Sequence, residues 1–421
     1  MLNMSRLYDK VVSSISNNKT VIENYFFMTA LQILNSLFYL LIYPFLIRTL
    51  GSESYGLYIF AMSIVTYFII FVSFGFDMPA VKIIAENVND KDIKSQTLSA
   101  VFSAKIYLEA IALLAFCFLI LSVPSFRHNW MIFLFCFIQT FSNIFFPQWY
   151  FQGIQKMRIV TYIQLTYKLI SLPLIFLLIK TSSDLWIFVL ITSLISFLGS
   201  ITSHLLIIIK HKVPIHILPL SDVREWYKTS MPFFLTSSTG VIKEQSIIVI
   251  IGLFLGMKDC ALYDLANKII MVPRTLLMSI NAAIFPKVIA NIKVELVKKI
   301  INYETIIGIT VFILMLLFGK WVVVFMGGES MALSYPLAVI LSITILTWLV
   351  VGAYSSFIFI PNERNYFITK NQLVAFFSFF LYTFIGLIYE KSVFVLVTSI
   401  TLSGLTEIIY CKYLVHKHKL L

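Results

Sequence analysis

The sequence has little charge for its length. Only 12% of its 421 residues are Asp, Glu, Lys or Arg, whereas 59% are hydrophobic. So little polar surface cannot cover the apolar side chains of a water-soluble globule. The apolar residues must therefore face lipid, and each helix that crosses a bilayer needs about 20 of them in a row.

Cysteine is also scarce, and its spacing excludes further classes of site. The chain has four cysteines, none in a C-x-x-C pair: Cys117, Cys136, Cys260 and Cys411. We therefore expect no disulfide framework, zinc site or cofactor. The chain contains no G-x-x-x-x-G-K-[ST] phosphate loop either, so the sequence does not support direct coupling to ATP.

Long apolar runs predict an all-α polytopic membrane protein with twelve spanning helices. The eighth predicted span is the least apolar, and its prediction depends partly on the internal repeat described below. The predicted spans are residues 24–47, 54–75, 98–123, 130–151, 160–180, 185–209, 229–256, 263–285, 301–325, 333–360, 367–389 and 392–415.

The positive charges predict the orientation of these helices. A net charge of +12 would suggest nucleic acid for a soluble protein, but in a membrane protein it is interpreted through the loops, and no nucleic-acid partner is expected. Lys and Arg concentrate on the side that holds both predicted ends of the chain, which places both termini in the cytoplasm. Only six lie in the predicted outer loops: Arg48, Arg127, Lys180, Lys258, Lys320 and Lys391.

The chain divides into five predicted parts. Residues 1–23 are polar and lack the apolar core of a secretory signal, so they form a cytoplasmic segment. Two six-helix bundles follow at 24–209 and 229–415, with a cytoplasmic linker at 210–228 between them and a basic tail at 416–421. No predicted loop is long enough for a folded soluble domain, so function must reside in or at the membrane.

An internal repeat relates the two bundles. LGSESYGLYIFA begins at Leu50 and LGMKDCALYDLA at Leu255, which is 205 residues later, and the two share the pattern L-G-x(5)-L-Y-x-x-A. An even number of predicted spans separates the copies, so both bundles have the same orientation. We therefore expect a pseudo-twofold axis along the membrane normal, an arrangement typical of transporters.

Two cations near the centres of predicted spans are candidate substrate-binding residues. Lys243 and Arg274 lie in the seventh and eighth spans, where a charged side chain costs about 2.5–3.5 kcal/mol on insertion scales. Helical spacing adds polar neighbours, which we predict to line a cavity: Gln32, Asn35, Tyr39 and Asn267. Carboxylates in or beside the spans are candidates for coupling to a proton or ion: Asp77, Glu109, Glu244 and Asp264.

A structural interpretation of these residues stays open. Lys243 can neutralise Glu244, Lys268 can pair with Asp264 one turn away, and Arg274 can bind a carbonyl freed by the neighbouring proline. We favour the structural role for Lys268, and a role in function for Lys243 and Arg274.

Two segments resemble one protein family. YPFLIRTLGSESYGLY, from Tyr43 to Tyr58, and FPQWYFQGIQKM, from Phe146 to Met157, are similar to the Wzx-type bacterial polysaccharide or O-antigen flippases. These belong to the multidrug/oligosaccharidyl-lipid/polysaccharide exporter superfamily. The resemblance covers nearly the whole chain.

The resemblance implies a function that is not enzymatic. A flippase of this type moves an undecaprenyl-diphosphate-linked oligosaccharide repeat unit across the bacterial cytoplasmic (inner) membrane by alternating access, for O-antigen, capsular or other surface polysaccharide. It implies membrane lipid and the lipid-diphosphate-linked oligosaccharide as partners, together with polysaccharide polymerase or ligase machinery. On this interpretation, Lys243 and Arg274 would hold the diphosphate.

Three alternatives remain. A cation-coupled multidrug exporter of the same superfamily would need a cavity dominated by carboxylates, and the central Lys243 and Arg274 weigh against it. A membrane polymerase or lipid-linked glycosyltransferase would need a catalytic constellation and a long loop or soluble domain, neither of which the sequence contains. A passive structural protein would need neither the repeat nor the central cations.

Overall fold

The computed structural model describes residues 19–289 and 294–420, and in these ranges every regular element is helical. The all-α prediction is confirmed. The predicted segment 1–23 lies outside the described residues except for 19–23. We number the α-helices α1 (Lys19–Ser73), α2 (Asp77–Glu86), α3 (Lys91–Ser122), α4 (Pro124–His128), α5 (Trp130–Phe145), α6 (Gln148–Gly153), α7 (Met157–Leu178), α8 (Leu185–Ile209), α9 (Leu220–Phe254), α10 (Met257–Ile289), α11 (Val294–Gly327), α12 (Ser334–Tyr354), α13 (Asn365–Tyr389) and α14 (Val393–His418).

Ten helices in those described ranges are long and apolar enough to cross a bilayer. The first of them, Phe26–Ser73, covers all but two residues of each of the first two predicted spans. Helix α10, which carries the eighth predicted span, is not among the ten. The multi-pass membrane class is therefore confirmed, and the count of twelve stays a prediction.

The two copies of the repeat adopt related backbone conformations. Gly51 interrupts α1 with a φ of +79°, and Gly256 separates α9 from α10 with a φ of +130°. Positive φ favours glycine because an L side chain is strained there. The alanines at the end of each copy, Ala61 and Ala266, are both fully buried. Each copy of the repeated motif therefore contains a glycine turn between two helical segments.

The chain forms two compact units whose residue ranges differ from those of the two predicted bundles. Unit 1 contains the described residues up to Leu37 together with Phe68–Leu177 and Phe188–Leu235. Unit 2 contains Phe38–Tyr67, Leu178–Ile187 and the described residues from Thr236 onward. Helix α1 thus contributes to both units, and the predicted bundle boundaries stay a prediction.

In unit 1, the segment between α8 and α9 lies extended along α3. Ser99 accepts a hydrogen bond from the backbone N–H of His216 (2.9 Å), and Ser103 accepts one from the N–H of Leu218 (2.8 Å). From Ser99 to Ser103 the helix advances about 6.0 Å, and from His216 to Leu218 the extended chain advances about 6.6 Å. The two serines therefore stay level with the two backbone N–H groups that they bind. Two more side chains of α3 bind the same segment: the Ser95 hydroxyl donates to the Pro214 carbonyl, and the Tyr107 hydroxyl donates to the Leu218 carbonyl.

In unit 2, α1 packs closely on the start of α10. A Cβ placed on Gly56 would come within 1.7 Å of the Met257 carbonyl oxygen, so only glycine fits. On α9, Gly252 leaves room for the ring of Phe60 in the same way. These contacts hold the α1 segment of unit 2 against α9 and α10, the two helices that carry the predicted cations.

Candidate functional site

A charged cleft in unit 2 contains both predicted cations. Its volume is about 660 Å³, including the part that is open to solvent, and its walls come from α9, α10, α12 and α14. We call it the charged cleft and define it by its lining residues: Lys243, Glu244, Tyr263, Asn267, Met271, Arg274, Leu341, Thr344, Thr347, Trp348, Ile400, Gly404 and Glu407.

Lys243 is held by a carboxylate from the last helix. Its ammonium donates a hydrogen bond to Glu407 Oε1 at 3.1 Å, and both side chains are largely shielded, with 18% and 17% of their surface exposed. The open structural interpretation paired Lys243 with Glu244, but the direct partner in the structure is Glu407. A charge-assisted hydrogen bond in such surroundings is stronger than one in water.

Arg274 has a looser ion pair and an aromatic neighbour. Its guanidinium lies 3.8 Å from Glu244 Oε1, and the Glu244 side chain is 49% exposed. The guanidinium also lies 4.6 Å from the ring centroid of Trp348, a cation–π contact, and its Nη1 lies 3.7 Å from Met271 Sδ. The planar group is thus oriented by an aromatic face and leaves N–H donors available for a ligand.

Neutral polar groups share the charged cleft with these four charges. Asn267, one of the predicted cavity residues, lines it together with Thr344 and Thr347. Amide and hydroxyl groups bind sugar hydroxyls, whereas Lys and Arg bind phosphate oxygens. The charged cleft therefore combines donors for an anion with groups suited to a polyol.

Tyr39 and Asp264 form a separate cluster in unit 2. The buried Asp264 carboxylate accepts hydrogen bonds from the hydroxyls of Tyr39 (3.1 Å) and Tyr55 (3.0 Å). The ring of Tyr43 packs on both tyrosine rings, and the Lys268 ammonium lies 5.0 Å from the ring centroid of Tyr39. We call these five residues the tyrosine cluster. Neither Tyr39 nor Asp264 is among the residues that line the charged cleft.

The other two polar residues predicted on the first helix belong to unit 1. Asn35 Oδ1 accepts a hydrogen bond from the Lys168 ammonium of α7. Gln32 is exposed, and its backbone carbonyl accepts a hydrogen bond from the Ser36 hydroxyl. The structure therefore places Gln32 and Asn35 in unit 1 and Tyr39 in unit 2, and their predicted role in a cavity stays a prediction.

Two of the predicted coupling carboxylates lie in unit 1. Asp77, in the first turn of α2, is 3.3 Å from the ammonium of the buried Lys105. Glu109 is buried in α3 and accepts a hydrogen bond from the Thr140 hydroxyl at 2.5 Å. Each has one local partner, and the role of both in ion coupling stays a prediction.

Sequence reasoning did not single out Glu407 and Trp348. Glu407 is the only acidic residue in the last predicted span, 392–415, so an isolated carboxylate in an apolar run was an available signal. Trp348 had no such signal, since tryptophan in an apolar helix is ordinary. Among the described residues, no group of three or more His, Cys, Asp or Glu side chains is arranged to hold a metal ion.

Comparison with known proteins adds a family and two relatives. A family model described as "Polysaccharide biosynthesis protein" matches residues 21–293. A protein of Escherichia coli (strain K12) named "Putative O-antigen transporter" is 28% identical over 287 residues, which are 68% of this chain and 69% of that protein. A protein of the same name from Shigella dysenteriae is 23% identical over 253 residues, which are 60% of this chain and 63% of that protein.

Solved structures of two kinds of membrane transporter share the fold. An inward-facing multidrug resistance MATE family transporter of the MOP superfamily superposes with a TM-score of 0.65 and 14% identity, over 91% of this chain and 95% of that chain. The lipid II flippase MurJ, in an inward closed conformation, superposes with a TM-score of 0.67 and 12% identity, over 93% and 86%. The two-lobe transporter fold is therefore confirmed.

Proposed function

The chain belongs to the polysaccharide biosynthesis protein family, and on that premise we propose that it is a flippase for a lipid-linked polysaccharide precursor. The family resemblance found in the sequence is confirmed by the family model. The specific cargo that we propose is an undecaprenyl-diphosphate-linked oligosaccharide repeat unit. The names of the relatives, putative O-antigen transporters, and the fold shared with the lipid II flippase MurJ support this assignment.

The single observation that carries the proposal is the charged cleft, where Lys243 and Arg274 lie beside amide and hydroxyl groups. A diphosphate needs cationic partners where the local dielectric constant is low, and its sugars need hydrogen-bonding groups. We assign Lys243 and Arg274 to the diphosphate and Asn267 to the sugars. The lipid tail need not enter the cleft, because it is already dissolved in the bilayer.

The transport cycle that we propose is alternating access between two six-helix bundles at 24–209 and 229–415. The protein would act in the bacterial inner membrane with both termini in the cytoplasm, and polysaccharide polymerase or ligase machinery would use its product. The distribution of positive charge along the chain supports that orientation.

One observation favours the multidrug exporter as a second candidate. Two carboxylates, Glu244 and Glu407, line the charged cleft, and the fold is shared with multidrug transporters. An organic cation would need those carboxylates unpaired, but Glu407 is bound to Lys243 and Glu244 lies beside Arg274. The balance of charge therefore supports an anionic headgroup better than a cationic drug.

Alanine substitution of the two cations tests the proposal. In a strain that depends on this chain for surface glycan, Lys243→Ala and Arg274→Ala should each lower glycan by at least about tenfold, since each removes a charge-assisted contact to phosphate. The matched control is Lys320→Ala, which removes an exposed cation from the same unit and should leave glycan unchanged. Immunoblots of the membrane fraction verify equal protein levels.

Normal glycan in the double variant would refute the diphosphate assignment. Loss of resistance to cationic dyes, with glycan unchanged, would instead support the multidrug exporter.

A further inference from the structure

The formal charges of the four ionisable side chains that face each other in the charged cleft cancel. It is lined by two cations, Lys243 and Arg274, and two carboxylates, Glu244 and Glu407. A diphosphate carries at least two negative charges near neutral pH, so its entry would leave the cleft with net negative charge if all four side chains stayed in place. Repulsion between negative charges is strong in a partly buried site, because little water is there to screen them. Binding therefore requires that at least one carboxylate release its cation and move away from the ligand toward solvent.

The two ion pairs are not equally available to a ligand. The Arg274 guanidinium is 3.8 Å from Glu244, a carboxylate that is about half exposed and can turn into solvent. The Lys243 ammonium is 3.1 Å from Glu407, and both are shielded. Arg274 can thus meet an incoming phosphate with little rearrangement, whereas Lys243 can bind it only by releasing Glu407.

Glu407 also has the right chemistry to imitate the ligand. A carboxylate presents two oxygens with negative charge, as a phosphate does, and it reaches Lys243 from α14 across the wall of the cleft. Without it, the largely shielded ammonium would have no counter-ion, which would make the empty cleft less stable. The carboxylate therefore stabilises the empty cleft and competes with the ligand for the same cation.

We propose that Glu407 is an internal counter-anion that occupies Lys243 in the empty cleft and is displaced by the diphosphate headgroup. This inference rests on the proposed function. As a consequence, the affinity of the cleft for the diphosphate is limited, because a phosphate contact to Lys243 replaces the existing ion pair with Glu407. A carrier needs such a limit, since a headgroup that is bound too tightly on one side is not released on the other. Glu407 is thus a positioning residue that sets affinity.

The test measures pyrophosphate binding to the full chain in nanodiscs of phosphatidylcholine, a lipid without net charge that does not compete for the cations. Isothermal titration calorimetry gives Kd for the wild type and for Glu407→Gln, which keeps the shape of the side chain and removes its charge. We expect Glu407→Gln to bind at least about tenfold more tightly, because the competing anion is gone. Glu390→Gln removes the same charge from an exposed position of unit 2 and should bind like the wild type.

A double-mutant cycle ties the gain to Lys243. In a Lys243→Ala background, Glu407→Gln should give no gain in affinity, because the cation for which the two anions compete is absent. A purely structural role for Glu407 would not produce this dependence. If Glu407→Gln does not fold, Glu407→Asp serves instead: its shorter side chain retreats from Lys243, so it should bind more tightly than the wild type as well.

The outcomes separate this inference from the proposed function. If Lys243→Ala binds pyrophosphate more weakly than the wild type while Glu407→Gln binds no more tightly, the counter-anion is refuted and the diphosphate site stands. If Lys243→Ala and Arg274→Ala both bind like the wild type, the diphosphate site itself is refuted. A gain in Glu407→Gln that persists in the Lys243→Ala background also overturns the inference.

Discussion

Two clusters in unit 2 place charged side chains in contrasting surroundings. In the tyrosine cluster, the carboxylate of Asp264 is buried and accepts hydrogen bonds from two tyrosine hydroxyls at 3.0 and 3.1 Å. In the charged cleft, Lys243 and Arg274 each lie beside a carboxylate and line the open space of the cleft. The first cluster is enclosed by its own side chains, and the second borders a space that a ligand can enter.

This contrast shows why buried charge alone does not identify a binding site. Asp264 and Lys243 are both charged groups in apolar helices, and both were candidates from the sequence. Asp264 is buried in a packed group of aromatic rings and accepts hydrogen bonds from two tyrosine hydroxyls, so a ligand would have to break the fold to reach it. The partner of Lys243 can be exchanged for another anion. We therefore expect substitutions in the tyrosine cluster to affect stability and those in the charged cleft to affect transport.

The largest effect should come from removing the carboxylate of the tyrosine cluster. Asp264→Ala leaves two tyrosine hydroxyls without their acceptor and Lys268 without a nearby negative charge, so it should destabilise the protein by about 3–5 kcal/mol. Glu407→Ala, the matched change in the charged cleft, should cost less than half as much, because water can reach Lys243. Thermal unfolding of the purified proteins in detergent measures both, and equal losses would break the contrast between the clusters.

A smaller effect should separate two tyrosines of the same cluster. Tyr55→Phe removes a buried hydrogen bond to a carboxylate and should cost about 1.5–3 kcal/mol. Tyr43→Phe is the matched control, since the buried Tyr43 hydroxyl has no hydrogen-bond partner among the described residues, and its removal should be neutral or stabilising. The unfolding midpoints should therefore differ, and a Tyr43→Phe variant less stable than Tyr55→Phe would contradict the hydrogen bonds assigned to Asp264.

In the charged cleft, the aromatic neighbour of Arg274 should have a moderate effect on transport alone. Trp348→Phe keeps an aromatic face under the guanidinium but weakens the cation–π contact by about 0.5–1 kcal/mol, which corresponds to a loss of roughly two- to fivefold in transport. The initial rate of surface glycan synthesis after induction measures this loss. A fall in unfolding temperature comparable to that of Tyr55→Phe would show that Trp348 acts through stability instead.

The smallest effect should come from a titratable group outside both clusters. Burial, followed by the positive charges of Lys156, Lys94 and Lys210, lowers the pKa of His211, whose ring nitrogen lies 3.0 Å from the Tyr150 hydroxyl. Because the folded state disfavours protonation, the unfolded chain takes up the proton first as pH falls below about 6.5, and stability decreases.

His211→Gln should reduce this acid-side decrease in unfolding temperature between pH 7 and pH 5, while leaving transport at neutral pH unchanged. The matched control is His128→Gln, on the exposed helix α4 of the same unit. An unaltered pH profile in His211→Gln would refute the assignment of the decrease to this histidine.

Helical periodicity predicted part of the charged cleft. Asn267 and Arg274 are seven residues apart, and both line it, as does Lys243 from the preceding helix. The same reasoning placed Gln32, Asn35 and Tyr39 on one face of the first helix, but the chain passes from unit 1 to unit 2 between Leu37 and Phe38. Asn35 therefore binds Lys168, and Tyr39 binds Asp264. A face defined by periodicity does not say how many environments the helix passes through.

The amino-acid sequence alone was sufficient for the class of this protein and for the repeated glycine turn. A low proportion of charge makes a soluble fold energetically impossible, and the repeated Leu-Gly placed two chain reversals whose glycines both have positive φ. Packing in three dimensions decided which charge meets which partner. Glu407 is 164 residues from Lys243, and a contact over that distance depends on how whole helices pack, which no local pattern of residues encodes.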